Sequence, residues 1–448
     1  MRPLPPHYTN LPYSAFRFGA NVHFDQHKGD LDILPQMIAR AGLRWVRDSL
    51  DWGGVEKTKG VYAIPEHNRK ALNTLKNLGI SSLLCLCYGN QFYPHTSEEE
   101  AKAYGNYAEF VARELKGYGD VFEIWNEPNG FGKLTPTLYP RILKSGFEGV
   151  KKGNPNAFVI GTGGASPGGW SAWYITEILK VGGQAWMDSF SIHPYCSPNT
   201  AEVGYLSQGG PAPRASIDYT QQNTLGLAEK IREARGFQYR PGVWVTEIGW
   251  PTTQVSPNVQ AQQIARWFIY CAAKPDDIER SFVYDFLCDG TNPKDMEHTF
   301  GLVAYDYSPR PSYVATATAA RALDGRPFLR RVRHPYDGVH LYLFGTKEDA
   351  VLAGWVAELS GKELESGKME DGTPAETYVK AGSWPDRVIE VDLGGIDGNP
   401  VLRDWQDRDC QPILKENGKI RLRLTVWPQY VYGLRNPSTI SIVQPCDK

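Results

Sequence analysis

The chain has 448 residues, of which 41% are hydrophobic and 22% are charged, and its formal net charge is −2. This length predicts two domains, and the nearly balanced charge argues against nucleic acid as the main partner. Apolar runs stay well below the ~20 residues that cross a bilayer, so we expect no membrane partner. Residues 1–10 lack the apolar core of a signal peptide. The compartment stays open: secreted or periplasmic if a signal peptide was removed, otherwise cytoplasmic.

Strand patterns alternate with helical patterns eight times between about Phe16 and Leu323. The predicted strands are 16–24, 43–50, 80–88, 121–125, 158–164, 187–194, 243–250 and 281–287. A helical pattern follows each strand, and a long polar loop, 196–217, precedes the sixth helix. Such alternation is typical of a parallel sheet, and eight units in roughly 300 residues fit a closed barrel. Glycines at the end of the fifth strand would permit close backbone approach.

After Asp324 the helical periodicity stops and short strand patterns follow one another. They lie at 339–344, 350–356, 387–393, 420–426 and 430–434, with turn residues between them. This pattern is typical of an antiparallel β-sandwich. We therefore predict an α/β fold, with a (β/α)8 TIM barrel over 1–324 and a smaller antiparallel β-sandwich domain over 325–448. The arginine-rich segment 326–333 indicates a solvated or salt-bridging role rather than a polyanion site.

The seven cysteines show no metal-binding spacing. Cys85 and Cys87 alternate on one predicted strand and fit small buried residues, whereas Cys410 and Cys446 could pair in the second domain. The segment 23–30, HFDQHKGD, superficially resembles a metal site. A helix-capping loop explains it equally well, so we expect neither a metal ion nor a cofactor.

Two predicted strands end in a similar arrangement. The segment VFEIWNEPN, 121–129, runs through apolar residues to Asn126 and Glu127, and Pro128 stops the strand. The segment VWVTEIGW, 243–250, carries Glu247. Because the carboxyl ends of barrel strands form one face, we expect both glutamates there. Glycosidic bond cleavage needs such a carboxylate pair, one a protonated acid and the other an ionised nucleophile or base. A buried salt bridge or cap would explain either glutamate alone.

We interpret Glu127 as the general acid/base, with a pKa raised by burial and a neighbouring carboxylate. Glu247 is the predicted nucleophile, and Arg47 at the end of strand two would keep it ionised. His193 and Tyr195, after strand six, could orient Glu247 by hydrogen bonds.

Other polar and aromatic residues at strand ends suit sugar recognition, although a structural role would also explain them. Asn126 could donate to the sugar hydroxyl beside the reacting carbon. The further candidates for the pocket wall are His23, Tyr88, Trp250 and Tyr284.

These motifs resemble those of the clan of retaining glycoside hydrolases built on (β/α)8 barrels. WNEPN at 125–129 resembles its acid/base motif and TEIGW at 246–250 its nucleophile motif. The segment 45–62 is similar to its strand-two signature, in which Glu56 and Gly60 are structural. With IHPY at 192–195 and the trailing β domain, the chain most resembles family 39, which includes exopolysaccharide endoglycosidases and β-xylosidases.

The resemblance implies a carbohydrate substrate and a retaining reaction. Glu247 would attack the anomeric carbon, and Glu127 would protonate the leaving oxygen and then activate water. Clan members often carry a sugar-platform Trp on strand eight, where this chain has Tyr284 and Phe286, so the sugar, the linkage and exo or endo cleavage stay open. Two alternatives are a non-catalytic carbohydrate-binding barrel and a metal-dependent hydrolase that chelators would inhibit. Nothing in the sequence indicates the oligomeric state.

Overall fold

The computed structural model describes residues 18–130, 134–165, 170–202, 227–334, 336–369, 371–375, 377–378, 384–410 and 415–443. The first residues of the chain, most of the loop 196–217 and the predicted partner of Cys410, Cys446, lie outside these ranges. Within them, no helix combines the length and apolar character needed to cross a membrane.

Eight parallel strands close into a barrel in which β1 pairs with both β2 and β8. The strands are β1 (Phe18–Asn21), β2 (Trp45–Asp51), β3 (Ser81–Cys87), β4 (Val121–Ile124), β5 (Phe158–Gly161), β6 (Ser189–Ile192), β7 (Val243–Ile248) and β8 (Ile278–Val283). The helices that follow them are α1 (Leu34–Arg40), α2 (Glu66–Asn77), α3 (Glu98–Glu114), α4 (Tyr139–Gly153), α5 (Trp170–Lys180), α6 (described over 227–235), α7 (Pro257–Ala272) and α8 (Pro311–Leu323). The predicted (β/α)8 barrel is confirmed.

The interior of the barrel changes from apolar to polar along its axis. One cluster of buried, bulky side chains consists of Trp45, Leu83, Val121, Phe158, Ile160, Trp244 and Phe282. Inward-facing positions recur every second residue of a strand, so the next inward residues of β2, β4 and β7 are Arg47, Glu123 and Thr246. The apolar layer therefore forms a floor beneath a buried polar layer.

The rest of the chain forms two antiparallel sheets, which confirms the predicted β-sandwich. The strands are β9 (Phe328–Arg331), β10 (Val339–Gly345), β11 (Ala350–Val356), β12 (Val388–Gly394), β13 (Asp397–Arg403), β14 (Lys415–Glu416), β15 (Lys419–Thr425), β16 (Gln429–Arg435) and β17 (Ser441–Val443). One sheet has the order β13-β16-β11-β10-β9 and the other β14-β15-β12-β17. The sequence analysis missed β9, β13, β14 and β17 because these strands are short, or rich in polar residues, Gly and Pro.

A buried ionic triad joins the barrel to the β-sandwich. Arg266 of α7 is fully buried, and it donates to Glu202 at 2.8 Å and to Glu358 at 2.7 Å. The indole of Trp355 in β11 also donates to Glu202, at 2.7 Å. Burial acts to raise the pKa of Glu202, but the charge and hydrogen bonds of Arg266 outweigh it and hold this pKa at about 2. One guanidinium thus compensates two carboxylates between the domains.

We expect Arg266→Leu to lower the free energy of unfolding at pH 7 by about 3–5 kcal/mol, because it leaves two buried carboxylates without a cation. Urea unfolding followed by circular dichroism measures this. The control is Arg321→Leu, which removes a half-exposed ion pair with Asp407 and should cost less than about 1 kcal/mol. Equal losses in the two variants would contradict the prediction.

The same triad predicts how stability depends on pH. The pKa of Glu202 falls from an ordinary 4.5 to about 2 on folding. Its contribution to stability is therefore fully present above about pH 5 and is lost as the pH falls toward 2. The difference in the free energy of unfolding between the wild type and Arg266→Leu should therefore become smaller as the pH falls from about 5 toward 2.

Candidate active site

Residues from three different parts of the chain meet at the carboxyl ends of the barrel strands. A carboxylate oxygen of Glu127, one of Glu247 and a ring nitrogen of His193 all lie within 4.8 Å of one another. The Glu127 side chain is 25% exposed and that of Glu247 is 11% exposed. An approach this close fits the roughly 5–5.5 Å between carboxyl groups of retaining glycosidases better than the ~6.5–9.5 Å of inverting ones.

Arg47 is the cation at the base of this site. Its guanidinium is buried and donates to Glu247 at 2.7 Å, to Glu123 at 2.6 Å and to Asn126 at 2.7 Å. Burial acts to lower the pKa of Arg47, but the two carboxylates raise it well above its usual value. Arg47 thus stays charged and restricts the rotation of both carboxylates and the amide.

Glu123 is a member of the site that the sequence analysis missed. It is fully buried in β4, accepts from Arg47, and accepts a second hydrogen bond from the Thr246 hydroxyl at 2.9 Å. Burial acts to raise the pKa of Glu123, but the charges of Arg47 and His193 lower it. The signal was present in the sequence as a carboxylate inside the apolar run VFEIW, where an unpaired charge would be costly.

His193 connects this buried pair to Glu127. Its Nε2 lies 3.0 Å from the Thr246 hydroxyl, and its Nδ1 lies 2.9 Å from Glu127 and 3.5 Å from Glu247. The sequence analysis assigned His193 to Glu247, but its shorter contact is with Glu127. The ring reaches both carboxylates because β6 ends between the loops that carry them.

The hydrogen bonds that run from Glu123 through Thr246 and His193 to Glu127 have a defined direction. Glu123 is ionised and can only accept, so the Thr246 hydroxyl donates to it and must accept from Nε2–H of His193. Nδ1 of His193 and the carboxylate of Glu127 then face each other with one proton between them. That proton resides on Nδ1 of an imidazolium or on Glu127 beside a neutral ring.

The predicted rise in the pKa of Glu127 is wrong. Burial does act to raise it, but the hydrogen bond and charge of His193, together with the charge of Arg47, lower it below its ordinary value. The prediction took a carboxylate as the dominant neighbour of Glu127, whereas the shortest contact is with a potential cation, His193.

The loop after β4 is held in a strained conformation by glycines after β5. Glu127 has a φ of 42°, in the left-handed region, and its N–H donates to the carbonyl of Gly163 at 2.6 Å. A Cβ on Gly163 would lie 2.9 Å from Pro128, and one on Gly164 would lie 2.3 Å from Nε2 of His193. The glycines therefore permit the close backbone approach that we expected. The loop that carries Glu127 packs on Gly163, and the ring of His193 packs on Gly164.

Other predicted residues surround the two glutamates. The Tyr195 hydroxyl donates to Glu247 at 2.9 Å, as the sequence analysis expected of it. The amide of Asn126 donates to the Tyr88 hydroxyl at 2.8 Å, so these two residues form one wall. Tyr284 follows β8 and packs edge-to-face on Tyr195, with ring centroids 6.4 Å apart.

His23 lies in an ionic cluster beside Tyr284. It pairs with Asp285 at 3.2 Å, and Lys28 pairs with Asp289 at 2.7 Å. Burial acts to lower the pKa of His23, but the neighbouring aspartates raise it to about 9. His23, Asp285 and Asp289 have the spacing of metal ligands. Each aspartate also has a partner in this cluster, His23 for Asp285 and Lys28 for Asp289, so these residues form an ion-pair network.

Trp250 does not line the cleft, contrary to expectation. Its side chain is fully buried, packs against Trp267 of α7, and donates to the carbonyl of Asn199 at 2.7 Å. The chain turns at Gly249 and directs the indole toward the helix layer. Trp250 therefore contacts the segment after β6 from the helix side and not from the cleft.

Comparisons with known proteins were made on this fold and site. No protein-family model and no curated protein matches the chain. It is similar to the solved structure of a family 39 glycoside hydrolase from the gut symbiont Bacteroides cellulosilyticus WH2, with 30% identity and a TM-score of 0.77. The alignment covers 94% of this chain and 81% of that one. The chain belongs to glycoside hydrolase family 39.

This family 39 member is therefore a glycosidase, and the resemblance seen in its motifs is confirmed. It is also similar in fold to a GH30 endoxylanase from Clostridium papyrosolvens C71, with 10% identity and a TM-score of 0.60. That alignment covers 95% of this chain and 98% of the endoxylanase. A GH39 enzyme from Xanthomonas axonopodis pv. citri gives 11% identity, a TM-score of 0.59 and 95% coverage of each chain.

We expect Gly164→Ala to lower kcat at least about tenfold in this family 39 enzyme, because its Cβ displaces the ring of His193. Hydrolysis of an aryl glycoside measures this. The matched control is Gly182→Ala: both glycines have a φ near +82°, but a Cβ on Gly182 meets no atom of the described residues within 4 Å. A similar loss of kcat in both variants would attribute the effect to backbone strain and contradict the prediction.

Proposed function

We propose that the protein is a retaining glycosidase that cleaves β-glycosidic bonds in a polysaccharide or oligosaccharide, with Glu247 as nucleophile and Glu127 as acid/base. The observation that carries the proposal is the approach of both carboxylates and His193 to within 4.8 Å of one another. This gap admits one anomeric carbon between the nucleophile and the acid but leaves little room for a separate water beneath the sugar.

In the first step, an oxygen of Glu247 bonds to the anomeric carbon while the bond to the leaving oxygen breaks. The attacking carboxylate is oriented by the hydrogen bonds that it accepts from Arg47 and from the Tyr195 hydroxyl. The leaving oxygen takes both electrons of the broken bond and receives a proton. The product is a covalent glycosyl-enzyme and a free alcohol.

The proton for this step comes from the Glu127–His193 pair. The direction of the Thr246 and Glu123 hydrogen bonds keeps one proton between Nδ1 of His193 and the Glu127 carboxylate. A low pKa of Glu127 in the free protein is therefore compatible with acid catalysis, because the pair retains a transferable proton that Glu127 can pass on.

In the second step, the ionised Glu127 removes a proton from water as the water oxygen attacks the anomeric carbon and releases Glu247. Glu127 is ionised at this stage because the pair gave its proton to the leaving oxygen in the first step. Transfer of the proton back to the pair restores the starting state. Two displacements at one carbon retain its configuration.

The sugar itself would be held by the walls of the cleft. Asn126 and Tyr88 form one side, in which the amide nitrogen of Asn126 donates to the Tyr88 hydroxyl and its oxygen accepts from Arg47. Tyr284 and His23 form the opposite side, with rings 5.7 Å apart. We propose these four residues as contacts for sugar hydroxyls and ring faces.

Glu247→Ala should lower kcat by several orders of magnitude on an activated aryl glycoside, because no carboxylate remains to attack the anomeric carbon. Added azide should restore turnover and give a glycosyl azide of inverted configuration, since it replaces the nucleophile in a single displacement. Product analysis by NMR measures this.

Glu127→Ala is the paired variant. Azide should intercept its glycosyl-enzyme and give an azide of retained configuration. The exposed Glu148→Ala serves as a control and should keep full activity. Retained configuration from the Glu247 variant, or full activity in either variant, would contradict the assignment.

Thr246→Val should lower kcat/KM about 10²-fold or more for substrates with poor leaving groups and much less for activated ones, because it removes the hydroxyl that fixes the His193 tautomer. It should also alter the pH profile of kcat/KM, in which the wild-type pair acts as the acid. The control, Thr316→Val, removes a buried hydroxyl that forms no hydrogen bond with any described residue, and it should leave kcat/KM unchanged. Losses that do not depend on the leaving group would contradict a role in protonation.

A further inference from the structure

A second cavity lies on the β-sandwich, apart from the residues of the barrel cleft. It has a volume of about 950 Å³ and is partly open to solvent. It lies between segments at β9 and β17, which are edge strands of the two different sheets. The polar side chains that line it are Arg330, Arg331, Arg333, His334, Ser438, Thr439 and Ser441.

The positive charges in this cavity have no carboxylate among the described residues. Arg326, earlier in the same segment, pairs with Asp349 at 2.9 Å, as the sequence analysis expected. Arg330 and Arg331 instead donate to backbone carbonyls, and Arg333 forms no ion pair within the part of the chain that the structure describes. Three guanidinium groups in one concave site repel one another unless an anion neutralises them.

A buried donor in the cavity also lacks a partner. Nε of Arg330 is shielded from solvent and forms no hydrogen bond with any described residue. This atom carries a desolvation penalty that a bound ligand could remove. Burial and the charge of Arg331 lower the pKa of His334, in keeping with a cavity that holds excess positive charge.

Edge protection is the competing explanation for these arginines. Charged side chains on an edge strand prevent pairing with another sheet. This would explain the exposed Arg331 and Arg333. It does not explain the concave shape or the half-buried Arg330 with its unpartnered Nε, since a residue that protects an edge projects into water.

We propose that this cavity binds an anionic group, a carboxylate or a sulfate, carried by a carbohydrate chain. A guanidinium fork matches the paired oxygens of either group, and Ser438 and Ser441 offer hydroxyls for neighbouring sugar hydroxyls. A glycosidase meets such chains as substrates. Nucleic acid is less well matched, because no Phe, Tyr or Trp among the described residues lines the cavity for base stacking and the net charge of the chain is −2.

The test measures binding to the full-length protein by isothermal titration calorimetry at about 0.15 M ionic strength. Polygalacturonate supplies the carboxylate, dextran sulfate supplies the sulfate, and dextran is the neutral reference. We expect at least one anionic polymer to bind and dextran not to bind. Arg331→Gln with Arg333→Gln should weaken that binding at least about tenfold.

The matched control is Arg408→Gln with Arg423→Gln, which removes the same charge from exposed positions of the same domain outside the cavity. It should leave the affinity within about twofold, since long-range charge alone contributes little once screened by salt. Hydrolysis of a small neutral aryl glycoside should be unchanged in both double variants, so a failure of the catalytic assignment would be seen separately.

Three results would overturn the proposal. One is an unchanged affinity of the Arg331/Arg333 double variant for both anionic polymers. If that variant also self-associates, the arginines protect the edge strand instead. Another is equal weakening in the control. The third is binding of duplex DNA or free sulfate as tightly as the polymers, which would indicate a general anion site without preference for carbohydrate.

Discussion

The site depends on burying one guanidinium beneath two carboxylates. Without Arg47, Glu123 and Glu247 would be unpaired charges in the barrel interior, which would cost several kcal/mol each or force them to take up protons. With it, each carboxylate has a fixed donor, and Asn126 is held by the same group. An ion pair of this kind adds little net stability, so its value lies in orientation: a carboxylate held at 2.7 Å cannot rotate away from the reacting carbon.

The position of this polar layer follows from strand geometry. Inward-facing side chains recur every second residue, so the strands that place Trp45, Val121 and Trp244 in the apolar floor place the polar residues one step higher. The floor excludes water from below, which strengthens the interactions of Arg47 above it. Glycines after β5 complete the arrangement, because only their missing side chains let the Glu127 loop and the ring of His193 approach.

Local sequence was sufficient for the barrel and for the glutamate pair, because an apolar strand followed at once by a polar residue identifies a strand end. It was insufficient wherever partners come from other strands. Glu123 and the true partner of His193 depend on the register of β4, β6 and β7, which no single segment encodes. The same limit explains Trp250: an indole at a strand end looks alike whether it faces the cleft or, as here, the helix layer.

The β-sandwich is physically connected to the reacting groups through one short segment after β6. Tyr195 at its start donates to Glu247, the carbonyl of Asn199 accepts from Trp250, and Glu202 at its end joins the buried triad with Arg266. A loss of interdomain packing would therefore release this segment at Glu202. The released segment would hold Tyr195, and through it Glu247, less firmly in place. Because a displacement of about 1 Å in a catalytic group can lower a rate 10²-fold, the second domain contributes to the geometry of the cleft as well as to stability.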